Sequence, residues 1–271
     1  MTIIVAAYCD DARCGVVAAD RMAVRGAGSS AAQRDDAISK IVKLTDSLVI
    51  ANTGYALDAK YVADAFCQKH EGLDKSSVSE VCRFVSQTLA ELQTKKRDAE
   101  VQRQLGPGFT YNSIAEACAK GVGGHFLDVL KAANDLNYGE FLMIGFENGR
   151  VTIRCDPSPQ TLGVVEVAHV ATGSGYHYAH AAMTIADHTK AVDVETAVFN
   201  VYCGMKAAAV SYGVGSKIDM AIVTSHGARF VPKSVIETLE EVRLAKSLKA
   251  KEKKLIREGM KETGEANTEG G

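Results

Sequence analysis

The order of the apolar segments constrains the fold of this 271-residue chain more than any other feature. Two strand pairs come first, "TIIVAAYC" with "GVVAAD" and "KIVKL" with "SLVIANTG", each joined by a short polar turn. From residue 57 the apolar residues keep helical spacing, in two segments separated near "DKSSVSE". Next come the strands "EFLMIGF", "RVTIRC" and "VVEVAHVAT", the helices "YHYAHAAMTIADHT" and "VETAVFNVYCGMKAAAVS", and the strands "DMAIVTS" and "ARFV". Hairpins and grouped helices predict an α+β fold, a four-layer αββα sandwich of two antiparallel sheets flanked by helix pairs.

Composition narrows the class of protein. With 46% hydrophobic residues the chain can bury a substantial core, and its net charge of −2 gives no indication of nucleic acid or a membrane surface as a partner. The seven cysteines are scattered without a C-x-x-C pair, which favours a reducing compartment over a disulfide framework or a zinc site. The apolar start lacks a basic leader, and no apolar stretch approaches the roughly 20 residues of a membrane span. We therefore expect a cytoplasmic protein.

Three parts of the chain carry separate expectations. Residues 2–234 are predicted to form the main domain, within which residues 95–138 form an extended segment with a "GPGF" turn and a short helix around residues 114–120. This segment is a candidate lid or subunit contact. Residues 235–257 predict a charged C-terminal helix that packs on a neighbouring subunit, and residues 258–271 a polar, Gly-rich tail without stable structure.

Thr2 raises the question of chemistry, because only a removable methionine precedes it. A threonine hydroxyl is a weak nucleophile unless a base lies beside it, and a free α-amine on the same residue is such a base. That amine titrates near ~7.7–8.0, so it is partly neutral at physiological pH and accepts the hydroxyl proton. A nearby cation, a carboxylate that holds the cation, and a backbone N–H for the oxyanion would complete an acyl-transfer site.

Each of these groups stands at the end of a predicted element. Asp20 closes the second strand, Lys40 opens the third, Gly54 follows the fourth, and Ser174 precedes a helix. Taken singly, each has an ordinary structural interpretation: a turn carboxylate, a solvated lysine, a turn glycine and a helix N-cap. Together, in this order, they favour catalysis.

The pattern "T…GVVAADR…KIVKL…ANTGYALDA…FLMIGF…ATGSG" resembles the proteasome β-subunit and its bacterial HslV relatives, members of the N-terminal-nucleophile (Ntn) hydrolases. The resemblance covers roughly residues 2–94 and 139–227. It implies the Ntn-hydrolase sandwich, a threonine peptidase activity without a cofactor, and a closed homo-oligomeric ring. An ATP-dependent unfoldase that feeds the ring with unfolded protein is a further partner it implies.

The resemblance also assigns roles to individual residues. Thr2, after loss of Met1, would be the nucleophile with its own amine as the base, and Lys40, paired with Asp20, would lower the pKa of that amine. Gly54 would supply the oxyanion N–H, and Ser174 would help to hold the amine and its water. The substrate channel would be lined by Ala23, Val24, Asn52 and Ala56.

One departure from the family leaves the fate of the acyl-enzyme open. In "SYGVG", Ser211 stands where proteasome subunits carry an aspartate and Val214 where they carry a serine. The leading hypothesis is hydrolysis by a threonine peptidase. The alternatives are an Ntn acyl transferase or peptide ligase, in which an amine resolves the same Thr2 ester, and a catalytically inactive structural subunit. An intact Thr–Asp–Lys set argues against the last.

Other features do not indicate a site. His177 and His180 share a helix face, but His188 falls two turns further on, and no partner motif for a metal appears. The glycines near residue 174 lack the third glycine of a dinucleotide-binding fingerprint. We therefore expect no metal and no nucleotide.

Overall fold

The computed structural model describes residues 2–21, 23–25, 32–34, 39–54, 57–69, 77–136, 139–156, 163–245 and 256–258. Ala56, one of the residues expected to line a substrate channel, lies outside these ranges. So do most of the second half of the predicted C-terminal helix and, apart from Glu258, the predicted tail.

Twelve strands and seven α-helices lie within the described residues. The strands are β1 Ile3–Cys9, β2 Cys14–Asp20, β3 Ala23–Arg25, β4 Ala32–Arg34, β5 Ile41–Thr45, β6 Leu48–Asn52, β7 Phe141–Glu147, β8 Arg150–Asp156, β9 Gly163–Val164, β10 His169–Gly173, β11 Ile218–Thr224 and β12 Gly227–Phe230. The helices are α1 Leu57–Lys69, α2 Val78–Leu105, α3 Tyr111–Ala119, α4 Leu127–Asn134, α5 Tyr176–Ile185, α6 Val194–Ala208 and α7 Lys233–Leu244.

The strands form two five-stranded sheets. The first sheet has the order β10-β1-β2-β11-β12 and the second the order β5-β6-β7-β8-β9, while β3 and β4 make a separate two-stranded ribbon. All neighbouring strands in both sheets are antiparallel. The predicted pair of antiparallel sheets is therefore confirmed.

Alternation along β1 shows how the layers pack. Its odd-numbered residues face a cluster formed with α5, α6 and α7. Its even-numbered residues, Ile4, Ala6 and Tyr8, pack instead against side chains of the second sheet such as Leu142 and Ile144. Because successive side chains of a strand point to opposite faces, one strand contributes to both cores.

The second sheet buries its other face under helices α1 and α2. Leu48, Ile50 and Met143 pack there against Val62 and Val85. Helices thus cover the outer face of each sheet, which is compatible with the predicted αββα sandwich. Each sheet is apolar on both faces, so it cannot leave one face to water.

Two predictions about segments need correction. The segment "VVEVAHVAT" is not one strand but two: β9 joins the second sheet and β10 the first. Helix α2 does not end near residue 94 but continues to Leu105, over 28 residues or about 42 Å. Its second half is almost entirely polar, and Val101 is its buried apolar residue, so the periodicity that marks a helix is weak there.

Within the predicted segment 95–138, residues 95–136 form a small helical subdomain at the end of α2. Its own core contains Val101, Ile114, Val129 and Ala133. The short helix expected around residues 114–120 is α3, shifted a few residues toward the N-terminus, and α4 was not predicted. Among the described residues no helix combines the length and the apolar character needed to cross a membrane.

Candidate active site

The predicted catalytic residues converge at one edge of the sandwich. Thr2 immediately precedes β1, and Asp20 ends β2, which is antiparallel to β1, so the two residues lie at the same end of that hairpin. Lys40 immediately precedes β5 in the second sheet, and Gly54 follows β6. Ser174 follows β10, the other neighbour of β1. Strand pairing in the first sheet therefore brings together Thr2, Asp20 and Ser174, up to 172 positions apart in sequence, and the packing of the second sheet against it adds Lys40 and Gly54.

Lys40 connects the Thr2 hydroxyl to the Asp20 carboxylate. Its Nζ lies 2.7 Å from Thr2 Oγ1 and 3.0 Å from Asp20 Oδ1. All three side chains are buried, with exposed fractions of 2% for Thr2, 1% for Lys40 and 0% for Asp20. An ammonium taken this far out of water is stabilised only if charge and hydrogen bonds compensate it, and the carboxylate and the hydroxyl provide both.

Asp20 is held by backbone as well as by Lys40. The N–H of Ile3 donates to Oδ1 at 3.0 Å, and the N–H of Gly215 donates to Oδ2 at 3.0 Å. These hydrogen bonds fix the position of the carboxylate relative to the start of β1. The contact from Gly215 was not predicted, because no local pattern marks a backbone N–H that arrives from 195 residues away.

Gly173 and Ser174 fix the backbone of Thr2. The N–H of Ser174 donates to the Thr2 carbonyl at 2.7 Å. Gly173 has a φ of +93°, and a Cβ built on it would lie 2.1 Å from the same carbonyl oxygen. Only glycine fits at this position, since a side chain would be strained by the backbone and would collide with Thr2. The structural interpretation of Ser174 as the N-cap of α5 is wrong, because Gly175 occupies that position.

Gly54 lies in the turn that follows β6, with a φ of +79°. The preceding residue, Thr53, accepts the N–H of Glu140 on its Oγ1 at 2.7 Å and donates its own N–H to the Glu140 carbonyl at 2.8 Å. A Cβ on Gly139 would lie 1.6 Å from the Thr53 carbonyl oxygen and 2.9 Å from the Gly54 nitrogen. Gly139 thus permits the close approach that shapes this turn, and the sequence alone did not single it out.

The residues expected to line a substrate channel lie in different parts of the fold. Ala23 and Val24 lie in β3, where they pair with Arg34 and Gln33 of β4. Asn52 is fully buried and donates from Nδ2 to the Thr53 carbonyl at 3.0 Å. The Asn52 side chain thus supports the Thr53–Gly54 turn from inside, and its channel-lining role, like those of Ala23 and Val24, stays a prediction.

The two departures from the family pattern lie behind the site. Ser211 packs against the turn before α5, with its Oγ 2.9 Å from the place where a Cβ on Gly175 would stand. Val214 is buried in the core beneath α6. The neighbouring Gly215 supplies the N–H that holds Asp20, so this loop contributes to the site through its backbone.

The helical subdomain is connected at both ends to elements that adjoin the candidate site. Near its start, Lys96 Nζ binds both oxygens of Asp58 in α1, at 2.8 and 2.7 Å. After its last helix the chain returns through Gly139 and Glu140, which hold Thr53 as described.

Histidines form a separate cluster on the far side of the first sheet. His169 Nε2 lies 3.1 Å from His180 Nδ1, and the rings of His169 and His188 are 6.0 Å apart. Burial, followed by the neighbouring His180 and His188, lowers the pKa of His169 to about 4. In the part of the chain that the structure describes, no group of three or more His, Cys, Asp or Glu side chains is arranged to hold a metal ion.

A cleft of about 760 Å³ lies next to the site but does not include Thr2. Its lining contains Arg21, Ser39 and Ser216, which are the sequence neighbours of Asp20, Lys40 and Gly215. The cleft therefore lies behind the Lys40–Asp20 pair, toward α7.

Comparison with known proteins adds no assignment. No protein-family model matches this chain, and no curated protein matches it in sequence. The geometry of the candidate site and the motif resemblance are therefore the basis for assigning a function.

Proposed function

We propose that this protein is an N-terminal threonine hydrolase of the proteasome/HslV type that cleaves peptide bonds. The observation that carries the proposal is the contact of a fully buried lysine with the hydroxyl of the second residue: Lys40 Nζ to Thr2 Oγ1, 2.7 Å. A buried lysine paired with a carboxylate has no structural need for a threonine at the chain start. Buried charges in contact with a hydroxyl are typical of catalytic sites.

Removal of Met1 would release the α-amine of Thr2 beside its own hydroxyl. The amine accepts the hydroxyl proton as Oγ1 attacks the peptide carbonyl, and the Lys40 ammonium stabilises the developing negative charge on Oγ1. The N–H of Gly54 is the proposed oxyanion donor. The amine then protonates the leaving nitrogen, which leaves an acyl ester on Thr2, and water activated by the amine hydrolyses the ester. No cofactor enters this sequence.

Acyl transfer to an amine is the second candidate because it uses the same ester. The observation that favours keeping it is the helical subdomain, after which the chain returns through Gly139 and Glu140 to the Thr53–Gly54 turn. An added subdomain at this point is suited to bind a second substrate or to exclude water from the ester. Product analysis of a peptide substrate, with and without a competing amine, separates hydrolysis from transfer.

Assembly into a closed homo-oligomeric ring is part of the proposal. Large apolar side chains on α5 and on the turn after α6 are exposed, and clusters of this kind are typical of interfaces. They are Tyr176, Tyr178, Ile185, Val210 and Tyr212, with exposed fractions between 41% and 86%. Sedimentation of the wild type and of Ile185→Asp tests this, since the substitution should dissociate the assembly. An ATP-dependent unfoldase as feeding partner follows from the family resemblance only.

The decisive experiment is the intact mass of the protein before and after treatment with a β-lactone, which acylates hydroxyl nucleophiles. We expect loss of Met1 and one adduct, located on Thr2. Lys40→Met should abolish the adduct, whereas Lys43→Met, the matched control at a partly exposed lysine in the same strand region, should retain it. A protein that keeps Met1 and takes no adduct would support the inactive structural subunit and refute the hydrolase.

A further inference from the structure

Two cysteines meet at the end of the sandwich opposite Thr2. Cys9 ends β1 and Cys14 begins β2, and they stand directly opposite each other as the last pair of that antiparallel ladder. The Cys14 thiol also donates to Asp10 Oδ2 at 3.6 Å. Both are free, with Cys9 buried and Cys14 half-buried. This arrangement is independent of the proposed hydrolase site.

The spacing of the pair already matches a disulfide. Residues directly opposite in an antiparallel ladder have Cα atoms about 4.5–5.5 Å apart, and disulfides span Cα distances of about 4.4–6.8 Å. Both side chains also lie on the same face of the first sheet, the face that packs toward α6. A bond between the two sulfurs therefore needs a rotation of side chains and no movement of the strands.

The turn between them is held in place from outside the hairpin. Asp10, Asp11 and Ala12 have positive φ values of 48°, 55° and 65°, a left-handed turn without a glycine. The N–H groups of Asp10 and Asp11 donate to the carbonyls of Val192 and Lys190 in the loop before α6. The thiols are thus presented by a turn that is anchored to the body of the protein.

The two thiols differ in character. Hydrogen bonding with the Cys9 thiol is the largest influence on Cys14 and lowers its pKa, which favours the nucleophilic thiolate. The same contact and burial raise the pKa of Cys9. A half-exposed cysteine with thiolate character beside a second cysteine is the arrangement of peroxide-sensitive thiol pairs.

We propose that Cys9 and Cys14 form a reversible, peroxide-reactive thiol pair. The Cys14 thiolate attacks hydrogen peroxide, which yields the sulfenic acid and hydroxide. The Cys9 thiol then displaces the sulfenic oxygen as water, so that two thiols are oxidised to one disulfide and one peroxide is reduced to two waters. A small dithiol restores both thiols by exchange.

Arg13 makes the product directly measurable. Trypsin cleaves after Arg13, between the two cysteines, so the disulfide would join two tryptic peptides that otherwise separate. After brief treatment of the reductant-free protein with hydrogen peroxide, we expect a loss of about 2 Da and this one linked peptide pair, both reversed by dithiothreitol. Cys9→Ser should instead accumulate a sulfenic acid at Cys14, trapped by dimedone, and Cys14→Ser should give no linked peptides.

Cys203 provides the matched control thiol. It is also half-buried, but burial raises its pKa to about 11. Dimedone labelling of Cys14 in Cys9→Ser should exceed that of Cys203 at least tenfold. Equal labelling, or a disulfide in the wild type that joins either cysteine to one of the other five, would overturn the proposal. Should Cys9→Ser fail to fold, the peptide map of the wild type against Cys14→Ser decides the same question.

Discussion

Replacing Asp20 by asparagine tests the buried ion pair at the centre of the site. At 3.0 Å the Lys40–Asp20 attraction amounts to about 5–6 kcal/mol with an effective dielectric constant of about 20, most of which offsets the desolvation of both charges. The substitution leaves Lys40 without its countercharge. It also leaves too few acceptors, because Ile3 N–H and Gly215 N–H approach different oxygens of Asp20. If the amide oxygen of asparagine takes the Ile3 side, its NH₂ group faces the Gly215 N–H, donor against donor.

The expected loss in the free energy of unfolding is about 3–5 kcal/mol, the range for breaking one side of a buried pair. That is a large part of the ~5–15 kcal/mol available to a domain. Urea unfolding followed by far-UV circular dichroism measures it, since the chain contains no tryptophan. Acylation of Thr2 by the β-lactone should fall in parallel, by at least ~100-fold, because the cation beside Oγ1 is no longer positioned.

The double variant Asp20→Asn/Lys40→Met provides the control. It removes both charges, so it should be more stable than Asp20→Asn alone, with a coupling energy of about 2 kcal/mol or more between the two positions. If each single substitution lowered the free energy of unfolding by less than about 1 kcal/mol, and the two losses were strictly additive, the pair would be solvated and the reasoning refuted. Restored stability without restored acylation is the combination we expect, since Lys40 is absent from the double variant.

Three further substitutions probe the surroundings of the site. Gly173→Ala should destabilise the fold by more than about 2 kcal/mol and suppress acylation, because its Cβ would meet the Thr2 carbonyl at 2.1 Å; thermal unfolding and lactone labelling measure both. Thr53→Val deprives the Glu140 N–H of its acceptor, and the free energy of unfolding measured in urea should fall by about 1–3 kcal/mol. The rate of Thr2 acylation should fall by more than the loss of folded protein explains. Because the pKa of His169 is lowered to about 4, the unfolded chain binds a proton before the folded protein does, and the free energy of unfolding should fall as pH falls from about 6.5 toward 4. In His169→Phe this fall, measured by urea unfolding, should be smaller by about 1–2 kcal/mol, a value reduced for partial exposure.

The sequence predicted the parts of the site that depend on strand order. Hairpin pairing places Asp20 beside Thr2 in the first sheet, and this follows from turns and alternation that any hairpin shows, whereas Lys40 precedes β5 in the second sheet and reaches them because the two sheets pack face to face. The same logic failed for residues 165–168, where the chain crosses from one sheet to the other inside one apolar run. Periodicity reports which face is buried, but it does not report which sheet buries it.

Backbone contacts between distant segments were beyond sequence reasoning. Gly215 N–H reaches Asp20, and Gly139 and Gly173 permit approaches to Thr53 and Thr2 that any side chain would block. A glycine in a polar stretch most often indicates a turn, and nothing local distinguishes a turn glycine from one that another strand approaches. The second half of α2 was missed for a related reason, since its charged surface lacks an apolar stripe.

The role of the α-amine is separable from the fold, because β1 is paired from its first residue, Ile3, onward. Ile3 pairs with Gly173 and Ile4 with Ala19, so an alanine inserted between Met1 and Thr2 leaves the register of both neighbours intact. The Thr2 hydroxyl and its contact with Lys40 would remain, whereas the amine would become a peptide N–H that cannot accept a proton. We expect unchanged urea unfolding and loss of lactone labelling by at least ~100-fold. Labelling at the wild-type rate would assign the proton-accepting role to another group and would leave Thr2 an ordinary serine-type nucleophile. A loss of stability together with the loss of labelling would instead mean that the start of β1 does not tolerate the insertion. Mass spectrometry of the N-terminus and circular dichroism together detect that case.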